Sequence, residues 1–486
     1  MAEKTSSTES NPEENSTDTI VLEGDLVSVD WESMVGKQVR VDGELVVVDT
    51  YDLARRGQVK LARKRLFLPT SYIDPNDSDP DGQSFEGGSN VAKVTAAQRN
   101  NDDAVITVDD DTEQQNVFPP NLFPELGKSR KTIRVGAKVS GLAGTVKKSN
   151  GRIVLVATEP LVVEPAGRPS CPSLDGADLT VASFNVLNYF TTLSDGNNDA
   201  RGANTESELE RQEAKIVAAI KEMKADVIGL MEIENNVEAE QRLIKAINQA
   251  VGSDMYAGVG RPEGFTESPG GSDDIRVGMI YRKDRVEAVG EPQMIDDAVF
   301  FVARTPVVQT FRSIDGGEPV TVIVNHFKSK GGNSDANQEN KQKGDGQAAY
   351  NAARRKQAFA ITDYISGLQS DARVLVIGDL NAYQQEDPID ALRARGLVDL
   401  HEQVRSGENT APSYSYVYYG QCGSLDHAFA TASLADDVTA IATWHINADE
   451  PRFVDYNEEY NPASLYEPSP YRSSDHDPVL IGIRNK

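Results

Sequence analysis

The architecture of this chain is clearest in one segment, Val374-Leu-Val-Ile-Gly-Asp-Leu-Asn381. Four consecutive apolar residues before Gly378 are typical of a buried strand, which delivers Asp379 and Asn381 to its carboxyl end. These two polar residues are two positions apart, so their side chains project from the same side. A carboxylate and an amide held at a rigid strand end could position a metal-bound water and a phosphate oxygen. A strand followed by an ordinary Asp/Asn turn would have the same sequence pattern.

Three further apolar runs carry a polar residue at their end: Leu179-Thr-Val-Ala-Ser-Phe-Asn185, Ala225-Asp-Val-Ile-Gly-Leu-Met-Glu232 and Val320-Thr-Val-Ile-Val-Asn-His326. A carboxylate such as Glu232 is costly to bury unless it is paired or bound to a cation. Glu232 is therefore predicted to be a metal ligand, with Glu234 close enough to compete for that role. A histidine at a strand end is usually structural, but His326 followed by Lys328 is equally consistent with a loop that faces phosphate.

Two turns near the carboxyl end place a histidine beside an aspartate: Leu425-Asp-His427 and Ser473-Ser-Asp-His-Asp-Pro478. An Asp-His pair alone indicates no more than a hydrogen-bonded turn. Taken in order, however, the strand-end residues and these two turns resemble the endonuclease/exonuclease/phosphatase superfamily over roughly residues 176–484. The Gly-Asp-Leu-Asn and Ser-Asp-His-Asp-Pro-Val motifs are the most specific part of this resemblance.

The resemblance implies an α/β fold for residues 176–486, a four-layer sandwich of two packed mixed sheets flanked by helices. Residues 20–164 contain short β-type runs separated by turns, and this pattern predicts a small all-β barrel or sandwich. This region and the Pro-rich linker at residues 165–175 resemble the amino-terminal part of bacterial extracellular nucleases, which implies an OB-like barrel. Residues 1–19 contain almost no apolar residue and are predicted to be a disordered tail.

The resemblance also implies roles for the strand-end residues. Glu232 would be the main Mg²⁺ ligand, with Asn185 and Asp475 near the same metal, and Mn²⁺ or Ca²⁺ are the alternative ions. Asp379 and Asn381 would position the attacking water and the scissile phosphate.

The two histidines at this site would carry the proton transfers. His476, oriented by Asp426, would act as general base or polarise the phosphate, and His326 would stabilise the oxyanion or protonate the leaving group. A phosphodiester needs its charge neutralised, a water activated and a leaving alkoxide protonated, and an imidazole near neutral pH can make either proton transfer. No single general base is assigned.

One strand departs from the family pattern. In family members whose first site histidine pairs with a carboxylate, that carboxylate lies on the strand that corresponds to Ile275-Arg-Val-Gly278. This segment contains no Asp or Glu, so the partner of His326, the first histidine here, stays open. Asp273 and Arg276, together with Lys328, are interpreted as substrate contacts only.

The formal net charge of −27 argues against tight, sequence-independent coating of DNA. An acidic surface is still compatible with a nuclease if divalent cations and a local basic groove carry the phosphate contacts, and it suits a protein that stays soluble in a salty medium. Basic clusters at residues 60–65 and 128–134 are consistent with a nucleic-acid groove on the β domain, but solvated strand faces are the favoured interpretation.

The two cysteines, Cys171 and Cys422, match no zinc pattern, and a disulfide between them or two unrelated thiols are equally open. No signal peptide is visible, so either the protein stays inside the cell or the sequence is a processed mature form. No apolar run is long enough to span a membrane.

Together these interpretations predict a secreted, monomeric, divalent-metal-dependent nuclease that acts on DNA, and on RNA as a second substrate, with little sequence preference. The alternative among enzymes is a phosphodiesterase or phosphatase on nucleotides or lipid headgroups, because the same site serves them. The alternative outside enzymes is a catalytically silent nucleic-acid-binding protein, which the joint presence of Asp379, Asn381 and His476 disfavours. A long basic groove beside the site would favour the polymer, and a closed pocket would favour the small substrate.

Overall fold

A computed structural model describes most of the chain, namely residues 19–76, 89–149, 151–194, 196, 200–265, 273–404 and 411–485. The tail predicted for residues 1–19 lies outside the described residues except for Thr19. Within the described part, none of the helices combines the length and the apolar character that crossing a bilayer requires.

The amino-terminal region is a β domain that also contains helix. Its strands are β1 (Ile20–Leu22), β2 (Gln38–Val41), β3 (Leu45–Asp49), β4 (Val59–Ala62), β5 (Leu66–Phe67), β6 (Ile106–Asp109), β7 (Lys138–Ser140), β8 (Ala143–Ser149), β9 (Arg152–Ala157) and β10 (Val162–Glu164). Its helices are α1 (Leu53–Arg56) and α2 (Val91–Asp103). All of these strands except β5 form one sheet in the order β1-β2-β8-β9-β6-β4-β3-β7-β10.

The all-β prediction for this region was wrong in one respect, because it missed helix α2. This helix is 13 residues long, and Ala, the best helix former, is its most frequent residue. Val94 is its one buried residue, so the helix lies on the surface and gives no apolar stripe from which to predict it. The OB-like description of the surrounding sheet stays a prediction.

The carboxy-terminal region is built from two six-stranded sheets and a set of helices. Its strands are β11 (Leu179–Tyr189), β12 (Val227–Glu234), β13 (Tyr256–Gly258), β14 (Ile275–Arg282), β15 (Val286–Met294), β16 (Val307–Ser313), β17 (Val320–His326), β18 (Val374–Asp379), β19 (Val398–Asp399), β20 (Tyr416–Tyr418), β21 (Gln421–Gly423), β22 (Asp426–Ala430), β23 (Val438–Thr443) and β24 (Val479–Ile483). Its helices are α3 (Glu206–Met223), α4 (Val237–Val251), α5 (Asn351–Ser366), α6 (Asp387–Ala394), α7 (Leu400–Val404) and α8 (Ala432–Ala435). The first sheet has the order β13-β14-β12-β11-β24-β23, and the second has the order β15-β16-β17-β18-β22-β19.

The two sheets pack face to face, and this contact explains the apolar runs of the sequence. On β18, Leu375 and Ile377 point into the core between the sheets, while Val374 and Val376 point to the other side. A strand that is buried on both faces is apolar at consecutive positions rather than at alternate ones.

Helices cover both outer faces. Ile216 of α3 and Leu243 of α4 pack in the core on the outside of the first sheet, and Ile361 of α5 and Ile389 of α6 pack in the core on the outside of the second. Thr205 caps α3 by accepting a hydrogen bond from the Glu208 backbone N–H (3.1 Å), as its capping-box sequence predicts. The four-layer α/β sandwich is therefore confirmed.

The β domain and the sandwich share a core. Phe453, Val454 and Leu465, which lie between β23 and β24 in sequence, complete the apolar core of the β domain. Strand β5 of the β domain pairs in parallel with β21, forming a three-stranded sheet with β20. The orientation of the β domain on the sandwich is thus fixed by apolar packing and by backbone hydrogen bonds.

The basic clusters of the β domain serve largely to hold this interface. Arg65 makes a two-pronged ion pair with Asp449 (2.7 and 3.2 Å), and Arg134 is buried beside Asp449 and Glu450. Lys60 pairs with Asp49 at 2.8 Å. The favoured interpretation of solvated strand faces therefore does not hold for Arg65 or Arg134, which lie between the domains.

Of the two alternatives left open for Cys171 and Cys422, the structure has two free thiols. Cys171 is half-buried against the outer core of the first sheet, whereas Cys422 is buried on β21, where its Sγ lies 3.3 Å from Nη1 of Arg65. Burial raises the pKa of both thiols to about 11, so neither is poised to react.

Gly378 is required by the way β17 and β18 approach each other. Its φ is +138°, and a Cβ at this position would overlap the carbonyl oxygen of Asn325 on β17.

We expect Gly378→Ala to lower the melting temperature by about 5 °C or more, because two central strands would have to separate. Circular dichroism during heating measures this. Gly167→Ala, where a Cβ meets no atom within 4 Å, is the control, and an equal melting temperature for both variants would contradict the argument.

Candidate active site

Three neighbouring strands of the second sheet bring polar residues side by side. His326 at the end of β17 is opposite Asp379 at the end of β18. Asp379 is in turn opposite Asp426, the first residue of β22. Asp379, from the segment at residues 374–381, is therefore the centre of a row of three chemically active side chains.

The first sheet contributes Asn185 and Glu232 through irregular backbone. The pairing of β11 with β12 shifts register after Asn185, and that of β12 with β14 shifts between Leu230 and Ile233. Glu232, inside that second shift, has φ +63°, which an L-residue adopts only at a cost. Such bulges re-aim side chains, and here they turn Glu232 toward the end of β18.

Glu232, His326 and Asp379 form a cluster that could hold a metal ion. One ligand atom from each lies within 4.8 Å of the others, and His326 Nε2 is 3.5 Å from Asp379 Oδ2 and 3.9 Å from Glu232 Oε1. Burial raises the pKa of both carboxyl groups, and the negative charge of Asp475 raises the pKa of Glu232 further. Two carboxylates and an imidazole in this arrangement fit a divalent cation, whose charge would offset the cost of burying them.

Asn185 contacts this cluster through its amide nitrogen. Nδ2 donates to Glu232 Oε1 (3.1 Å) and to Asp379 Oδ2 (3.4 Å), while Oδ1 accepts from the Leu187 backbone N–H. The backbone N–H of Asn188 also donates to Glu232 Oε2 (3.0 Å). In this arrangement Asn185 orients the two carboxylates, and its oxygen does not face the metal cluster.

His476 and Asp426 form a second functional unit. The Nδ1–H of His476 donates to Asp426 Oδ2 (2.8 Å), which also accepts from the Ser415 hydroxyl (2.6 Å). Burial disfavours the imidazolium, but Asp426 and Asp379 outweigh burial and raise the pKa of His476 well above its ordinary value. His427 points away and hydrogen-bonds the carbonyl of Ala382, so Asp426 orients His476 and not its sequence neighbour.

His326 has the opposite environment. Burial lowers its pKa well below the ordinary value, and the positive charge of Arg304 lowers it further. Within the described part of the chain, its Nδ1 has no hydrogen-bond partner. The carboxylates Asp273 and Asp274 pair instead with Arg201, at 3.4 and 2.6 Å. Among the residues that the structure describes, His326 thus has no carboxylate partner at Nδ1, while its Nε2 faces Asp379 and Glu232.

Asn381 and Asp475 lie at the edges of the same site. Asn381 has φ +48°, its backbone N–H donates to Asp379 Oδ1 (2.8 Å), and its Nδ2 donates to the Phe327 carbonyl (3.2 Å). Asp475 is half-exposed and close enough to Glu232 to raise its pKa. Both residues therefore adjoin the metal cluster, as the resemblance implies.

Two of the three predicted substrate contacts lie at the entrance to the site, and one does not. Asp273 is partly exposed beside Arg304 (3.5 Å), and Lys328 lies over the ring of Tyr350 (4.7 Å), where burial and Arg304 lower its pKa. Arg276 is wrong as a substrate contact. It is 2% exposed and forms an ion pair with Glu240 of α4 at 2.7 Å, so it supports the fold and cannot reach a ligand.

Several residues that shape the site are not predicted from the sequence. Arg304 sets the charge around His326 but belongs to no motif, so no signal in one sequence identifies it. Tyr416 packs its ring against His476, with centroids 4.6 Å apart. The run Tyr414-Ser-Tyr-Val-Tyr-Tyr419 was a usable signal, since four tyrosines in six residues are unusual.

A cleft of about 370 Å³, here called the catalytic cleft, opens beside these residues and reaches the β domain. Asn188 and Asp475 line it at the metal cluster, Tyr416 lines it beside His476, and Tyr51 lines it on the β domain. The site is therefore the end of an interdomain cleft and not a pocket within one domain.

A four-layer sandwich whose central strands end in such a cluster is the type of fold found in metal-dependent phosphoesterases. In a scan against protein-family models, the Endonuclease/Exonuclease/phosphatase family matches residues 182–476, which is more than half of the chain, and the chain belongs to this family. Enzymes of the family are usually metal-dependent phosphodiester or phosphomonoester hydrolases, and the cluster of Glu232, His326 and Asp379 is a candidate for that metal.

Solved structures similar to this chain share little sequence with it. An endonuclease/exonuclease/phosphatase from Bacteroides vulgatus is 15% identical, with a TM-score of 0.41 over 63% of this chain and 99% of that chain. A humanized TDP2 of D. rerio has the same four values. A mannosyl-6-phosphatase of Bacteroides thetaiotaomicron is 18% identical, with a TM-score of 0.38 over 63% of this chain and 99% of that chain. A search of curated protein sequences found no match.

The pairing of His476 with Asp426 can be tested in the metal-free protein. Because Asp426 stabilises the imidazolium, Asp426→Asn is expected to lower the pKa of His476, so that it loses its proton at a lower pH than in wild type. NMR titration of labelled histidines in EDTA measures this, and His476→Ala assigns the signal. Asp284→Asn, which removes an exposed carboxylate paired with Arg282, is the control. An equal pKa in Asp426→Asn and wild type would contradict the pairing.

Proposed function

We propose that this chain is a divalent-metal-dependent nuclease that hydrolyses phosphodiester bonds of DNA, and of RNA as a second substrate, with little sequence preference. The observation that carries the proposal is the catalytic cleft. It extends from Asp475 at the metal cluster to Tyr51 on the β domain, so a substrate bound at the metal cluster can continue onto the β domain. A phosphomonoesterase for small molecules would instead enclose its substrate.

The charges that line the catalytic cleft support an anionic substrate despite the net charge of −27. Arg201, Arg452 and Arg472 line the cleft. Of the acidic residues that line it, Asp49 is paired with Lys60 and Glu450 with Arg168. Arg201 is itself paired with Asp273 and Asp274, and Asp455 and Asp475 also line the cleft. A phosphate backbone would therefore depend on Arg452 and Arg472 together with a cation bound at the metal cluster.

Glu232, Asp379 and His326 would hold the cation, with Asp475 beside them. A bound divalent cation neutralises the non-bridging phosphate oxygens and makes a bound water more acidic. His326 suits the position of a ligand, because its lowered pKa keeps the imidazole neutral. This favours the ligand role over the earlier interpretation of His326 as a proton donor to the leaving group.

His476 suits the role of a proton donor. Asp426 holds its Nδ1, so Nε2 is the nitrogen directed at the reacting atoms, 3.8 Å from Asp379. With a raised pKa, His476 carries its proton at neutral pH and can donate a hydrogen bond to a phosphate oxygen. Asp379 and Asn381, at the adjacent strand end, would orient the attacking water.

Nicking of supercoiled plasmid DNA tests the proposal. We expect nicking with Mg²⁺ and none with EDTA. Glu232→Gln and His476→Ala should lower the rate by about 100-fold or more, because one loses a metal ligand and the other the proton donor. Glu238→Gln, an exposed carboxylate on α4, is the matched control and should nick as wild type does.

Two outcomes would contradict the nuclease proposal in different ways. Hydrolysis of bis(p-nitrophenyl) phosphate with intact plasmid would identify a phosphodiesterase for small substrates. Nicking that persists in EDTA and in both variants would come from a contaminant, and it would remove the site from the mechanism.

We also propose that the nuclease acts outside the cell, since an acidic protein of net charge −27 stays soluble in a salty medium. Nuclease activity is then expected in the culture medium of the source organism and reduced in the medium of a strain that lacks the gene. Activity lost from the cell extract alone would place the enzyme inside.

A further inference from the structure

The hairpin of β20 and β21 exposes two large aromatic side chains next to the catalytic cleft. Tyr418 and Tyr419 are 50% and 70% exposed, and their ring centroids are 4.5 Å apart. Tyr51 of the β domain, which lines the catalytic cleft, is 64% exposed. Aromatic rings left this open to water gain little from folding, so their position calls for another explanation.

These three tyrosines belong to segments that meet at Asp49. Gly420, at the tip of the hairpin, lies so close to β3 that a Cβ would be 3.2 Å from the Cβ of Asp49. The backbone N–H of Tyr51 donates to Asp49 Oδ1 (2.8 Å). We call the group of Tyr51, Tyr418 and Tyr419 the tyrosine platform. Pairing of β21 with β5 holds the hairpin in this place.

Each end of the tyrosine platform carries a cation. Lys60 Nζ lies 5.6 Å from the ring centroid of Tyr419, and the guanidinium of Arg452 lies 5.0 Å from that of Tyr51. Within the described residues, Arg452 forms no ion pair, so its charge is available to a ligand. Lys60 is paired with Asp49, so Arg452 is the cation of the platform that is left for a phosphate. Aromatic faces beside such a cation match the alternation of base and phosphate in a polynucleotide strand.

The tyrosine platform is continuous with the catalytic centre on one side. Tyr416, at the start of β20, packs on His476, and the strand then leads to Tyr418 two residues later. Tyr416 and Tyr51 line the same catalytic cleft as Asp475. A strand that leaves the reacting phosphate through this cleft therefore meets the platform.

On the other side, the platform adjoins a second cleft of about 700 Å³ on the face of the β domain. Its lining carries charges of both signs, with the basic residues Arg56, Lys60, Lys147, Lys148 and Arg152 and the acidic residues Asp52, Asp109, Asp111 and Glu113. Four of the basic residues are ion-paired, which leaves Arg152 as the one without an ion pair among the described residues. Lys60 belongs to this lining and also lies over Tyr419, and Asp52, next to Tyr51, lines the same cleft. The second cleft thus begins where the tyrosine platform ends.

We propose that the tyrosine platform stacks the bases of an unpaired polynucleotide strand as it passes from the active site to the second cleft on the β domain. The proposal rests on the nuclease function proposed above and adds to it the form of the substrate. A duplex hides its base faces inside the stack, so stacking on Tyr418 and Tyr419 requires a single strand or a locally opened one. The enzyme is therefore expected to prefer single-stranded DNA to duplex DNA.

Binding and turnover of a single strand test this. The dissociation constant of a labelled oligothymidylate of about 20 nucleotides, measured by fluorescence anisotropy in EDTA, should rise about 5- to 100-fold in Tyr418→Ala, Tyr419→Ala and Tyr51→Ala. With Mg²⁺, the ratio of kcat/KM for this oligonucleotide to kcat/KM for bis(p-nitrophenyl) phosphate should fall by a similar factor. Tyr419→Phe keeps the ring and should restore both values to nearly those of wild type.

Tyr460→Ala is the matched control, because this tyrosine is 75% exposed and lines neither cleft. The platform proposal fails if the tyrosine variants keep the dissociation constant of wild type, if Tyr419→Phe loses as much as Tyr419→Ala, or if both substrates lose kcat/KM equally. Tyrosine-dependent binding without cleavage would overturn the nuclease proposal and leave the platform standing. Cleavage together with binding that does not depend on the tyrosines would overturn the platform proposal and leave the nuclease proposal standing.

Discussion

Two carboxylates, Glu232 and Asp379, lie within reach of each other in a largely buried site. The other residues of the site partly offset the free-energy cost of burying these two charges. Like charges in a dry site repel, and burial adds to the repulsion, which is why the pKa of both groups is raised. The protein offsets only part of the cost, through the amide of Asn185 and the nearby charges of Arg304 and His476. A divalent cation would supply the remainder, so the same burial that destabilises the metal-free site creates affinity for metal.

The two histidines beside this pair show that environment and not residue type sets their chemistry. His326 is buried among positive charges and has a lowered pKa, whereas His476 is buried against Asp426 and Asp379 and has a raised one. A neutral imidazole and a protonated one a few ångströms from the same Asp379 can serve as ligand and proton donor respectively. The sequence places both histidines near phosphate chemistry but cannot separate their roles, because the charges that do so come from distant segments.

The fold was predictable where the physical cause is local. An apolar run such as that before Gly378 can only be a strand buried on both faces, and a polar residue at its end must then lie at the sheet edge. The convergence of Asp426 and His476, 50 residues apart, was predictable only through the family resemblance. Arg276 shows the opposite case. A charged residue in a buried strand looks functional until its partner is known, and Glu240 lies 36 residues away on a helix.

The parts that the sequence did not reveal are those that depend on contact between the domains. The basic residues of the β domain look like one kind of feature in the sequence, but Arg134 is buried and Arg65 half-buried between the domains, while Lys60 lines the second cleft. Helix α2 was likewise missed, because it follows from no periodic pattern or motif. The sequence also left open whether Cys171 and Cys422 are free or bonded.

The shared core of the two domains also explains how an acidic chain can handle an anionic polymer. Because Phe453 and Leu465 complete the core of the β domain, and β5 pairs with β21, the cleft between the domains has fixed walls. Fixed walls allow a few arginines to be placed where phosphates pass, while the remaining surface stays acidic. Net charge acts over the whole surface and is screened within about 10 Å at ordinary salt, so at the site local placement outweighs it.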